Sequence, residues 1–135
     1  MISQTLCTSF KAELYEAVHN LLTDTIKIAL YTANASLDDT TTVYTTTGEI
    51  SGSGYTAGGV VLTGATVGTL GQIAFVDFAN ASWAGALTAR GALIYNASKS
   101  NKAIAVLDFG ADKTSATTFV VTMPANTSTT ALIRS

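Results

Sequence analysis

The sequence predicts a mainly β fold: an antiparallel β-sandwich or barrel with one N-terminal amphipathic helix, in a single domain spanning residues 1–135. Three observations carry this. Apolar residues follow a helical period only before Asp24 and an alternating period after it. Short apolar runs then return about every ten residues, with Gly-, Asn- and Ser-containing turns between them. No linker, charge block or long repeat divides the chain.

The helix is predicted over about 9–22. Phe10, Leu14, Ala17, Val18, Leu21 and Leu22 form one stripe, and Lys11, Glu13, Glu16, His19 and Asn20 occupy the other faces. Thr8 or Ser9 is placed to accept from the free N–H groups of the first turn. This stripe reads as a docking face, and His19 falls on its solvated side. The first strand is "TIKIALYTA" (25–33), where Ile26, Ile28 and Leu30 alternate with Lys27, Ala29 and Tyr31. Residues 34–59 are rich in Thr, Ser and Gly, with strand pieces expected near Val43–Tyr44 and Glu49–Ile50. Their few apolar anchors predict an arm that orders against a neighbouring subunit. "VVLTGATVG" (60–68) and "GQIAFVDFA" (71–79) read as strands around a turn. "ALTARGALIYN" (86–96) and "KAIAVLDFG" (102–110) read as a hairpin, and "TTFVVTMP" (117–124) and "TTALIRS" (129–135) close the sheet system.

Composition narrows the function. Hydrophobic residues make up 47% and charged residues 12%, and Thr and Ala are the commonest residues. With so little charge repulsion, much of the surface is expected to be covered by other chains, in a closed homo-oligomer with a trimer favoured. A net charge of −2 gives no basic footprint for nucleic acid. No apolar run reaches the length of a membrane span, and the N-terminus lacks the pattern of a signal peptide. One Cys (Cys7) and one His leave no disulfide and no zinc cage, so no metal or cofactor is expected. The Asn-X-Ser/Thr triplets at Asn34, Asn80, Asn96 and Asn126 are expected to be chance products of this composition.

Motifs that resemble catalytic ones read as architecture. Asp108-Phe109-Gly110 matches the magnesium-holding triplet of kinases, but a chain of this size without a catalytic loop makes it a strand exit. "GSGYTAGG" (52–59) lacks the following Lys and helix of a phosphate loop. Glu13 with Glu16, and Asp38 with Asp39, read as solvated pairs. Asp77 interrupts an apolar strand and needs a partner, for which Arg90 is available. Trp83 in "ASWAG" reads as a core or interface anchor, with a sugar-stacking platform as the alternative.

The segments "SFKAELYEAVHNLLTDTIKIALYTANASL", "YTTTGEISGSGYTAGGVVLTGATV" and "ARGALIYNASKSNKAIAVLDFG", in that order, resemble a family of small structural proteins encoded by tailed bacteriophages. The resemblance runs from Phe10 to Arg134 and departs at the N-terminal residues and the "GTLGQ" turn. It implies a virion structural role without enzymatic activity and supplies no catalytic or binding residues. The expected function is a capsid cement or decoration protein bound to the major capsid protein, assembled in the bacterial host cytoplasm. A neck, collar, tail or baseplate component fits nearly as well, and a carbohydrate-binding module is the alternative of another class. The interface candidates are Phe10, Leu14, Tyr44, Ile50, Tyr55 and Trp83.

Overall fold

A computed structural model describes residues 1–124, 126–127 and 129–134. The elements are β1 (Thr5–Leu6), α1 (Thr8–Tyr15), β2 (Ile26–Tyr31), β3 (Val60–Val61), β4 (Thr66–Leu70), β5 (Ile73–Asp77), β6 (Ala81–Ala84), β7 (Thr88–Asn96), β8 (Lys102–Thr114), β9 (Thr118–Val121) and β10 (Ile133–Arg134). They form a five-stranded sheet in the order β1-β8-β7-β2-β3, a three-stranded sheet β10-β5-β4 and a two-stranded pair β6-β9. Every strand pairing is antiparallel. The sheets pack in a sandwich-like way and do not close into a barrel, as the mainly β class predicts.

β2 and β7 are the centre of the large sheet, and both of their faces are covered. Ile26, Ile28 and Leu30 pair with Asn96, Ile94 and Ala92 on one face, and Lys27, Ala29 and Tyr31 pair with Tyr95, Leu93 and Gly91 on the other. Asn96 on the first face reaches His19, and Tyr95 on the second reaches the carbonyl of Gly58. Nearly continuous burial from Ala92 to Asn96 follows from this double cover. The β7–β8 hairpin forms as the sequence predicts, but Asp108-Phe109-Gly110 is not the strand exit expected: it lies within β8, which runs on to Thr114.

The helix is shorter than its apolar stripe. It ends at Tyr15 because the Val18 N–H donates to Glu13 O and the Ala17 N–H to Leu14 O, with Ala17 at φ 58°. These two bonds are the Schellman arrangement, with Ala17 in the left-handed position that glycine usually fills. Residues 20–24 then close a polar turn, in which Asn20 Oδ1 accepts from the Leu22 and Thr23 N–H groups and Asp24 Oδ2 accepts from the Asn20 N–H. Such short-range side-chain bonds outcompete a helical continuation. The N-cap is Cys7, without a side-chain cap bond, in place of the Thr8 or Ser9 expected.

The shortening divides the stripe. Phe10 is fully buried, while Leu14 is 40% exposed. Phe10→Ala is therefore expected to cost about 3–5 kcal/mol, whereas Leu14→Ala should change stability by well under about 1 kcal/mol. Chemical denaturation of the two variants checks this, and equal losses would contradict the assignment.

Residues 34–59 lie against their own domain, which corrects the expected arm. Ala35, Leu37 and Ile50 are buried. Backbone bonds tie the segment down along its length: Ser3 N to Leu37 O, Thr8 N to Asp39 O, Ala103 N to Thr42 O, Tyr44 N to Asn101 O and Ile50 N to Leu30 O. Gly59, at φ 79°, passes so close to the Ile28 carbonyl that a Cβ would sit 1.8 Å from its oxygen. The accessible surface of 6790 Å² is also that of a compact chain of this mass, about 6,700 Å² by size scaling. Among the described residues, no segment splays outward.

Candidate interaction surface

Three of the six sequence-predicted interface residues are spent inside the subunit. Phe10, Ile50 and Trp83 are 0%, 6% and 3% exposed. Trp83 packs edge-on against Phe119, its cross-strand partner, at 6.0 Å and leans on Tyr55 at 6.3 Å. It lies mid-strand in β6, a four-residue element too short to stand out in the sequence. Tyr44 and Tyr55 are half-buried. Leu14 alone of the six is exposed.

The tyrosines converge on Glu49. Its carboxylate accepts from Tyr44 Oη at 2.6 Å, from the Gly58 N–H at 2.8 Å and from Tyr55 Oη. Tyr55 Oη also accepts from the Leu30 N–H at 3.0 Å. Tyr44 stacks on Tyr95 at 4.7 Å, Tyr95 donates to Gly58 O, and Tyr31 donates to Thr45 O at 2.5 Å. Burial, reinforced by the Glu49 charge, raises the pKa of Tyr31, Tyr44 and Tyr55, so these hydroxyls remain donors. The cluster fastens the 34–59 segment to the large sheet. Composition gave no sign of it, because its bonds join residues without a common period.

A second polar network anchors the segment after α1. The His19 side chain is 0% exposed, contrary to its expected solvated position. Its Nε2 lies 2.8 Å from Glu13 Oε1 and its Nδ1 lies 3.0 Å from Asn96 Nδ2. Asn96 Nδ2 also donates to Asp24 Oδ2, while Asn96 Oδ1 accepts from the Ser98 N–H. These two contacts fix the amide, so Nδ1 of His19 is the acceptor and Nε2 carries the proton given to Glu13. The Asn20 N–H and the Asn96 amide, with Lys99 nearby, lower the Asp24 pKa. Cys7 is fully buried, and desolvation pushes its thiol up to about 11, so it is held as a packed, unreactive side chain.

Asp77 and Arg90 do not pair. Arg90 Nε bonds Asp108 Oδ1 at 3.1 Å, because Gly91 and Asp108 face each other across the hairpin. Asp77 is 3% exposed, with Oδ1 accepting from the Phe78 N–H at 2.9 Å. Burial raises its pKa, while the backbone N–H groups of Phe78 and Leu132 act against that rise.

The most exposed apolar surface surrounds α1 and the β4–β5 hairpin. A groove of about 410 Å³ runs between them, lined by Leu14, Leu21, Leu22, Val67, Val76 and Ile133 among others. Among the described residues of that lining, His19 is the one that is ionisable. In the groove's lining Leu22 and Val67 are 58% and 50% exposed. Leu70 and Ile73, paired on the opposite face of the hairpin, are 65% and 39% exposed, and Tyr15 at the end of α1 is 93% exposed. The groove has the chemistry of a protein contact: apolar and nearly uncharged. Among the described residues, no three His, Cys, Asp or Glu side chains group as a metal site. Comparison with protein-family models, curated proteins and solved structures finds no match.

Proposed function

We propose that the chain is a non-enzymatic structural protein of a tailed-bacteriophage virion, most specifically a cement or decoration protein that binds the major capsid protein and itself. The observation that carries this reading is the apolar groove and bare hairpin on a chain with only 12% charged residues. A surface of that kind is stable in water only at the cost of solubility, and it is protected when it lies in an assembly. The sequence resemblance to phage structural proteins supports the same reading, with the particle assembled in the bacterial host cytoplasm. A neck, collar or tail position uses the same surface chemistry and is the second placement. The carbohydrate-binding alternative loses Trp83, which is buried, while Tyr44 and Tyr55 are half-buried and Tyr44 is stacked on Tyr95.

Mass-spectrometric quantification of purified particles tests the proposal. A copy number of the same order as the major capsid protein is the expected result. A count sufficient only for one ring would move the chain to the neck or tail, and absence from intact particles would overturn the virion role.

A further inference from the structure

We propose that the outer edge of β4 is a self-association surface, on which β4 of a second copy pairs antiparallel about a two-fold axis midway between the two Gly68 residues. This deepens the self-binding named above, but it rests on strand geometry and holds whether or not the assembly is a virion.

β4 is the edge of the sheet β10-β5-β4, and among the described residues no strand pairs with its far side. At one end, the Asn126 amide reaches Thr66 O at 3.4 Å. Natural edge strands avoid pairing by being very short, by carrying charge or proline, or by being covered. β4 uses none of these: it has five residues, Thr66-Val67-Gly68-Thr69-Leu70, without a charge or a proline. Among the described residues the remaining edges are shorter, more buried or charged: β6 and β9 have four residues each, with alternate residues buried, and β10 has two. β1 and β3 are two residues long. The stretch of β8 beyond its β1 partner carries Asp108, Asp112 and Lys113.

The hairpin also lacks cover. Four of the five β4 residues are exposed, on both faces of the sheet, as are Ile73 and Ala74 of β5. A hairpin flanked only by the two-residue β10 is marginal in water without a further strand or a packed face.

The strand is self-complementary. Antiparallel pairing about Gly68 sets Val67 opposite the partner's Thr69 and Thr66 opposite the partner's Leu70. Each cross-strand pair therefore joins an apolar or methyl-bearing side chain to another, with no like charges opposed. Gly68 itself adds no bulk at the axis, where Phe75 lies over it. Val67, Thr69, Ala74 and Val76 share the groove face, by their register across the hairpin. A two-fold axis perpendicular to the sheet leaves both grooves on the same side, so the two apolar faces become contiguous. The product is a closed dimer, which departs from the trimer favoured by composition because the contact is isologous.

Sedimentation of the full chain over a range of concentrations is the first test, with a monomer–dimer equilibrium expected. Val67→Lys should shift it to monomer while leaving the melting temperature of dilute protein unchanged, since Val67 is half exposed. The register is read separately by mixing the single variants Val67→Cys and Thr69→Cys under mild oxidation. The mixture should give a disulfide-linked heterodimer, and neither variant alone should cross-link, because 67 faces 69 and not itself. The native Cys7 is fully buried and does not compete. A monomer at every concentration overturns the proposal, as does a dimer that survives Val67→Lys or fails to cross-link in the mixture.

Discussion

Trp83→Ala is expected to destabilise the protein by about 3–5 kcal/mol, the range for removing a buried large aromatic. Trp83 is 3% exposed and joins the two-stranded pair to the 34–59 segment through Phe119 and Tyr55, so the loss opens a cavity where two layers meet. Trp83→Phe separates packing from polarity. The indole N–H is buried without a hydrogen-bond acceptor among the described residues. Phenylalanine removes that unmet donor and keeps most of the volume, so its cost should stay below about 1.5 kcal/mol. Denaturant unfolding followed by far-ultraviolet circular dichroism reads both, and a Phe variant as unstable as the Ala variant would show that the indole nitrogen has a partner.

The second large effect is at Glu49. Glu49→Ala leaves the hydroxyls of Tyr44 and Tyr55 and the Gly58 N–H without their common acceptor. Bonds to a charged acceptor are worth more than neutral ones, and a loss of about 2–4 kcal/mol is expected. The damage should be local, with amides between residues 42 and 58 exchanging faster while the β2–β7–β8 core keeps its protection. The pH dependence follows from the tyrosines. Their pKa values are raised on folding, so their contribution is complete below the ordinary tyrosine value near about 10 and is lost only as pH rises through the folded values. An alanine variant with unaltered exchange in this segment would show that the backbone bonds alone hold it.

The parts of the fold that were legible in the sequence are those whose period is local. β2, β7 and β8 announce themselves by apolar runs bounded by turn residues, and they are the central strands of the large sheet. The sequence overextends the helix because Ala17, Val18, Leu21 and Leu22 continue its spacing. Nothing local shows that Asn20, Asp24 and Asn96 will bend the chain and draw His19 inward. The 34–59 segment looked unanchored for a related reason. Its fastening depends on one carboxylate and on tyrosines from three stretches of chain, contacts that only the folded topology brings together. Of the candidate surface, Leu14 is legible in the sequence as part of the stripe read as a docking face. Val67, Leu70 and Ile73 went unnoticed because an edge strand and an interior strand look alike until the sheet order is known.

The central claim is that the subunit meets other chains through α1 and the β4–β5 hairpin, and that residues 34–59 belong to its own core. Hydrogen exchange of the full chain at low and high protein concentration tests both halves at once. Residues 66–70 should gain protection as concentration rises, while 34–59 stay equally protected throughout. Protection of 34–59 that depends on concentration, with 66–70 unchanged, would contradict the claim and restore the segment as an intersubunit arm.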